Sequence, residues 1–188
     1  MSRVGYLPIE IPSNVKLSIV DSDVEVEGPK GKLSWTLPDG IRLNLAENVA
    51  TLERPNDLRQ YKSLHGLSRS LVANMVAGVS VGFEKRLRVV GNGYRAEINR
   101  QQELVLSVGY SHTVTFNPPE GIEISVEAPE NVDGQPHIPI VVSGIDKQLV
   151  GEVSATIRQI KKPEDYKPSK GIRYEGERVR MREGKARV

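Results

Sequence analysis

The N-terminal half of the chain alternates apolar and polar residues, which is the pattern of strands that bury one face. Val24 and Val26 follow this period of two, and Leu33, Trp35 and Leu37 follow it in the next segment. Turn-forming residues rich in aspartate, proline and glycine separate the segments. The pattern predicts an antiparallel meander rather than a βαβ series. Its five strands are expected at residues 16–20, 24–28, 32–37, 41–45 and 49–53.

Near residue 57 the apolar spacing changes to three and four, which is typical of an amphipathic helix. Gly78 and Gly82 are expected to end this helix. The residues with helical spacing are Leu64, Leu67, Leu71, Met75 and Val79. A second series of strands is predicted at residues 85–90, 94–99, 103–108, 113–117, 122–127 and 138–142, followed by a helix from about 146 to 161.

The second half of the sequence repeats the first, as expected for a duplicated unit. An offset of 81 aligns the strand regions, and an offset of 78 aligns the helices. We therefore predict an α+β fold with two tandem duplicated domains, 1–82 and 83–188, each an antiparallel β-sheet with one packed α-helix, plus a basic C-terminal extension. The aligned pairs include Pro38 with Pro119, Gly40 with Gly121, Gly66 with Gly144, Val72 with Val150, and Met75 with Val153.

The composition limits the chemistry that the chain can perform. It has no cysteine, which excludes disulfides, thiolate metal sites and a catalytic thiol. His65, His112 and His137 are far apart and lack metal-ligand spacing, so we predict neither a metal nor a cofactor. No segment has the apolar core of a signal peptide or the roughly 18 apolar residues of a membrane span, and we expect a cytoplasmic protein.

Three glycine-containing motifs resemble catalytic or phosphate-binding sequences, but each has another interpretation. The GVSVG segment at 78–82 matches the G-x-S-x-G motif of serine hydrolases, yet it falls at the predicted end of a helix. The GNG segment at 91–93 lacks the third glycine of a dinucleotide fingerprint, and Asn-Gly between strands indicates a hairpin turn. The GPKGK segment at 28–32 lacks phosphate-loop spacing and predicts a hairpin turn with two exposed lysines. We predict no catalytic residues, and an enzyme of unknown type is the third hypothesis.

Positive charge is concentrated at the C-terminal end of the chain. The formal net charge is only +2, but residues 158–188 carry 11 Lys and Arg against 5 Asp and Glu, whereas the preceding residues carry 15 against 19. Such a segment favours a polyanionic partner, because Lys and Arg displace condensed counterions. On charge alone, a solvated basic tail is the alternative.

Residues 161–188 combine this charge with side chains suited to structured RNA. Lys and Arg can contact phosphates, and Tyr166 and Tyr174 can stack on an unpaired base or ribose. Three arginines between 178 and 182 alternate with apolar residues, which places their guanidinium groups on one face of an extended segment. An edge strand with a basic outer face is compatible with this interpretation. The predicted RNA-binding residues are Arg158, Lys161, Lys162, Tyr166, Lys167, Lys170, Arg173, Tyr174, Arg178, Arg180, Arg182, Lys185 and Arg187.

These residues resemble the C-terminal signature of the bacterial family of large-subunit ribosomal protein L6. The resemblance rests on Pro-Glu-x-Tyr-Lys at 163–167, Lys-Gly-Ile-Arg-Tyr-x-Gly-Glu at 170–177 and Gly-Lys at 184–185. It extends over essentially the whole chain, with further similar blocks at 28–31, 93–96 and 109–112. The chain departs from the family at Pro168-Ser169, where glycine and lysine are usual, and residues 128–139 form a longer stretch than is typical.

The resemblance implies a two-domain protein that binds large-subunit ribosomal RNA, chiefly through its C-terminal domain. It also implies a location on the ribosome near the site where translational GTPases engage, with other large-subunit ribosomal proteins as neighbours. The expected function is that of a structural constituent of the large ribosomal subunit, which binds rather than catalyses. A freestanding RNA-binding or ribosome-assembly factor built from the same duplicated unit is the alternative.

Overall fold

A computed structural model describes residues 4–132, 134–166, 169–180 and 182, and it confirms the α+β class. The chain divides into two compact units. The first consists of Met1–Phe83 with Ile145–Lys147, and the second of Glu84–Gly144 with Gln148–Val188. Among the described residues, no helix is both long enough and apolar enough to cross a membrane.

The first unit contains two three-stranded antiparallel sheets and one long helix, after a 3-10 turn at Val4–Tyr6. Its elements are β1 (Ile9–Glu10), β2 (Lys16–Val20), β3 (Asp23–Gly28), β4 (Gly31–Thr36), β5 (Arg42–Ala46), β6 (Val49–Glu53) and α1 (Arg59–Ser80). The meander prediction holds for β2, β3 and β4, which pair in sequence order. It is wrong beyond β4, because the next strands form a separate sheet in the order β1, β6, β5. Helix α1 contacts strands of both sheets and buries Val72 and Val79 completely.

Helix α1 ends at Ser80, next to Gly82 as the sequence indicates, whereas Gly78, the other predicted stop, lies inside the helix. The amides of Val81 and Gly82 both donate to the Ala77 carbonyl, at 2.9 and 3.1 Å, and Gly82 has a φ of +83°. The Ser80 hydroxyl also donates to the Ala77 carbonyl, at 3.1 Å. The G-x-S-x-G segment therefore forms a helix C-terminus and not the strand-to-helix turn that exposes a nucleophilic serine.

The second unit again contains two sheets and one helix. The elements from residue 83 onward are β7 (Phe83–Val90), β8 (Arg95–Ile98), β9 (Leu104–Ser107), β10 (Val114–Phe116), β11 (Ile122–Val126), β12 (Glu130–Val132), β13 (Gln135–Gly144), α2 (Lys147–Ile160) and β14 (Gly171–Tyr174). One sheet has the order β10, β9, β8; the other has the order β11, β13, β7, β14, with β12 paired to β13. The unusually long stretch 128–139 thus supplies β12 and extends β13. Strands β1, β12 and β14 are absent from the sequence prediction.

Of the two hairpin turns predicted at glycine-containing segments, the structure contains one. The turn at 28–31 joins β3 to β4 with Gly28 opposite Gly31, and Lys30 and Lys32 are exposed, as predicted. The hairpin prediction for 91–93 is wrong. Strand β8 pairs with β9 and belongs to a different sheet from β7, so this turn carries the chain between sheets. Gly91 and Gly93 have φ values of +150° and +78°, which explains why the turn uses glycine.

The repeat is visible in the geometry of equivalent turns. Gly40 and Gly121 have φ values of +84° and +82°, and in both turns the next amide donates to the proline carbonyl at 3.2 Å. The helices also bury equivalent positions, such as Val72 and Val150. The alignment of Gly66 with Gly144 is wrong, because Gly66 lies inside α1 and Gly144 ends β13. Helix α1 has 22 residues and α2 has 14. Because the two helices begin at different points of the repeat, the position of Gly66 is helical in the first unit and its counterpart is not in the second.

Candidate nucleic-acid interface

The segment between α2 and β14 contains four of the predicted RNA-binding residues that the structure describes, Lys161, Lys162, Tyr166 and Lys170. Three hydrogen bonds close the loop upon itself: Ile172 N donates to Lys161 O at 2.7 Å, Glu164 N to Lys170 O at 2.9 Å, and Ser169 Oγ to Glu164 O at 2.8 Å. Because each bond joins residues across the loop, they fix the backbone from which its exposed side chains project.

Gly171 is the residue that allows the loop to close. It is buried and has a φ of +136°. A Cβ at this position would lie 2.6 Å from Lys162 O and 2.7 Å from Pro163 Cα, closer than real Cβ contacts permit. The Gly-Ile-Arg-Tyr sequence therefore needs its glycine for the close approach of two backbone segments.

The Gly-Ile-Arg-Tyr segment is itself the edge strand β14. It pairs antiparallel with β7 and ends the strand order of its sheet. Ile172 is fully buried, whereas Arg173 and Tyr174 are half-buried. The edge strand thus lies at Gly171–Tyr174 and not in the arginine segment for which the sequence suggested one, since residues 175–180 form no strand.

Arg158 and Glu177 form a paired group beside this strand. Arg158 Nε donates to Glu177 Oε2 at 3.0 Å, and a second guanidinium nitrogen donates to Oε1. The Tyr174 amide donates to Glu177 Oε2 at 2.9 Å. The bond from Arg158 is the main cause that lowers the pKa of Glu177, with the Tyr174 amide contributing in the same direction against burial. Glu177 in turn raises the pKa of Arg158, so the arginine stays charged while its charge is compensated within the chain.

Tyr174 lies among cations. Lys85 Nζ is 5.0 Å from the centroid of its ring, and Arg158 Cζ is 5.6 Å from it, both within the range of cation–π attraction. Lys85 lies on β7, far from the tail in sequence, and nothing in the sequence pattern associates it with the site. The half-buried Tyr174 ring thus lies next to the two cations Lys85 and Arg158.

The remaining predicted residues differ in how their side chains are engaged. Arg182 Nε contacts Asp165 Oδ2 at 3.1 Å, and Arg173 Nη2 lies 3.4 Å from His137 Nε2. Lys170 is half-buried. Among the described residues, none forms an ion pair with the exposed side chains of Lys162, Arg178 or Arg180, and Tyr166 is exposed as well. Lys167, Lys185 and Arg187 lie outside the described residues.

Lys161 connects this surface to residues that are absent from the predicted site. Its Nζ lies 5.3 Å from the centroid of the Tyr110 ring, and Tyr110 stacks on His112. The sequence signal for these two side chains is the Gly-Tyr-Ser-His block at 109–112, which contributes to the family resemblance but carries no net charge. In the described part of the chain, no group of three or more His, Asp and Glu residues could hold a metal ion.

The comparisons with known proteins agree with this architecture. The family model for ribosomal protein L6 matches residues 11–82 and 90–175. The chain belongs to the ribosomal protein L6 family. One match falls in each unit, which agrees with the tandem duplication. The resemblance inferred from the C-terminal motifs is thereby confirmed.

Full-length members of the L6 family are similar to the chain from end to end. The large ribosomal subunit protein uL6 of Syntrophomonas wolfei is 51% identical over 99% of this chain and 98% of its own length. The uL6 proteins of Natranaerobius thermophilus and Halalkalibacterium halodurans are 51% and 50% identical, each over 98% of both chains. These alignments extend past residue 175, where the family model ends.

Proposed function

We propose that this L6 family member is a structural constituent of the large ribosomal subunit and binds large-subunit ribosomal RNA, mainly through its second unit. The observation that supports RNA binding most directly is the set of exposed cations that have no ion-pair partner among the described residues, at Lys162, Arg178 and Arg180. The relatives' names, all large ribosomal subunit proteins, support the assembly.

The paired and unpaired cations have different parts in this proposal. Arg158 and Arg182 are bonded to carboxylates, so their charge is compensated within the chain. Arg178 and Arg180 are available to phosphates, where each contact releases counterions. The exposed phenol ring of Tyr166 lies in the same loop as Lys162 and is suited to an unpaired base or ribose.

The proposed location is the ribosome, next to other large-subunit ribosomal proteins and near the site of translational GTPases, as the family resemblance implies. A freestanding RNA-binding or ribosome-assembly factor is the alternative. Retention on purified subunits distinguishes the two. We expect the tagged chain, expressed in a bacterium, to remain on large subunits after a high-salt wash and gradient sedimentation. Its loss from washed subunits would contradict a structural role.

RNA binding itself is tested by the salt dependence of the affinity for purified bacterial large-subunit ribosomal RNA. The slope of log K against log salt is negative, and each lost phosphate contact reduces its magnitude by about 0.7–0.9. Replacing Arg178 and Arg180 with glutamine should therefore reduce the magnitude of the slope by about 1.4–1.8. The matched control replaces Lys16 and Lys30, two exposed lysines of the first unit, and should leave the slope unchanged. If the arginine variant had the same salt slope as the lysine control, the RNA contact would lie elsewhere in the chain.

Point substitutions are preferable to deletion of residues 161–188. The deletion would remove β14 and expose the core positions that Ile172 covers, since this side chain is fully buried. A loss of RNA binding by the deleted chain would then reflect unfolding as much as lost contacts.

A further inference from the structure

We infer that Tyr110 and His112, in the loop between β9 and β10, form a stacking platform for an unpaired base of the bound RNA. This inference rests on the proposed function, and it adds a contact that neither the charge pattern nor the family match assigns. The two rings lie 5.9 Å apart between centroids, with an angle of 17° between their planes. Both side chains are exposed, and Tyr110 retains 46% of its accessible surface.

The platform is held in place before any ligand binds. The Tyr110 hydroxyl donates to the Ile160 carbonyl at 2.7 Å. Ile160 is the last residue of α2, where carbonyl groups lack helical partners, so the tyrosine satisfies an otherwise unpaired acceptor. An exposed ring that is already fixed loses little conformational entropy when a base stacks on it.

Tyr94 supports the loop that carries the platform. Gly109 has a φ of +81°, and a Cβ there would lie 3.2 Å from the Tyr94 hydroxyl oxygen. A Cβ on Gly91 would lie 3.0 Å from Tyr94 Cδ2. The tyrosine ring thus packs where two glycines lack side chains and joins the 91–94 turn to the loop.

A cation completes the arrangement. Lys161 Nζ lies 5.3 Å from the centroid of the Tyr110 ring, and Lys161 begins the loop that carries Lys162 and Tyr166. Proteins that bind single-stranded nucleic acid combine aromatic rings for the bases with a positively charged path for the backbone. Tyr110, His112 and Lys161 supply both parts within one surface.

The exposure of Tyr110 and His112 favours ligand binding over a purely structural role. The first unit contains another tyrosine–histidine pair, Tyr6 with His65, whose planes are at 82°. There His65 is only 1% exposed and its Nε2 lies 2.9 Å from the Leu52 carbonyl, so that histidine stabilises the fold. His112 instead lies exposed with its ring nearly parallel to Tyr110, which leaves aromatic surface for a ligand.

The test measures the affinity of full-length variants for purified bacterial large-subunit ribosomal RNA across a range of salt concentrations. Loss of base stacking weakens binding by about 5- to 140-fold, and we expect losses of this size for His112→Ala and Tyr110→Ala. The slope against log salt should stay at the wild-type value, because stacking releases no counterions. The matched control, Thr113→Ala, changes an exposed residue of the same loop and should bind like wild type.

His112→Ala keeps the test independent of folding, because His112 is exposed and the Tyr110 anchor to Ile160 stays intact. Its thermal unfolding midpoint should match that of the wild type. Chemical probing of the RNA should show an unpaired base that wild type protects and His112→Ala leaves reactive. If His112→Ala bound RNA with wild-type affinity, the platform would be overturned, whether or not Tyr110→Ala lost affinity. The arginine variants would still test RNA binding by themselves. No binding by wild type would overturn the proposed function as well.

Discussion

Substituting alanine for Gly171 tests whether close backbone approach determines the geometry of the candidate interface. Two separate costs are expected from the structure. A residue with a Cβ at a φ of +136° is strained by about 1–3 kcal/mol. Forcing an extra methyl group against Lys162 O and Pro163 Cα, which would lie 2.6 and 2.7 Å away, costs about another 1–3 kcal/mol. The variant should therefore lose about 2–6 kcal/mol of unfolding free energy.

Gly176→Ala is the matched control for this prediction. Gly176 also has a positive φ, +73°, but among the described residues, its two chain neighbours aside, no atom lies within 4 Å of the position of its Cβ. It should lose only the cost of the left-handed conformation, about 1–2 kcal/mol. The difference between the two variants isolates the cost of steric contact at Gly171.

Urea unfolding followed by circular dichroism gives the two free energies, and hydrogen exchange measured by mass spectrometry locates the damage. In Gly171→Ala, exchange should accelerate at the amides of Glu164 and Ile172, which donate to carbonyls across the loop. Gly176→Ala should leave these amides protected. Equal stability losses in the two variants, or unchanged exchange at Ile172, would refute the close approach as the reason for the glycine.

Two further predictions concern the ion pair and the repeat. Because the folded-state pKa of Glu177 is lowered, its stabilising effect is complete above the ordinary pKa of about 4.3 and is lost as pH falls through the lowered value. Glu177→Gln should cost about 1–3 kcal/mol in urea unfolding at pH 7, and a deficit that persists undiminished at pH 2 would contradict this assignment. In the equivalent turns, Gly40→Ala should destabilise more than Gly121→Ala, since only at Gly40 would a Cβ lie 2.7 Å from the Tyr61 ring. Equal unfolding midpoints would argue against that contact.

The predicted RNA-binding site illustrates how far local sequence reasoning extends. Charge density identifies the C-terminal segment, because the number of Lys and Arg in a segment is independent of its fold. It does not separate Arg158, which is bonded to Glu177, from Arg178 and Arg180, which have no ion-pair partner among the described residues. That distinction depends on spatial distances between side chains that are far apart in the sequence. Arg158 and Glu177, for example, are 19 positions apart.

The same reason explains the errors in the fold. Strand β14 is missing from the prediction because its Gly-Ile-Arg-Tyr sequence has one buried apolar side chain and no alternating pattern, and it becomes a strand by pairing with β7. The turn at 91–93 has the sequence of a hairpin, yet its flanking strands belong to different sheets. Turn chemistry is local, whereas the choice of pairing partner depends on the whole unit.

The sequence by itself determined the α+β class, the tandem repeat, the positions of most strands and both helices, and the concentration of positive charge near the C-terminus. These properties are carried by periods of two and three to four residues, by repeated turns and by composition, all of which are local or additive along the chain. Only the tertiary structure decided which sheets the strands join, why Gly171 must be glycine, which cations stay exposed, and that Tyr110 and His112 stack beside Lys161. Those outcomes depend on through-space contacts between distant residues, which the hydrophobic pattern does not encode.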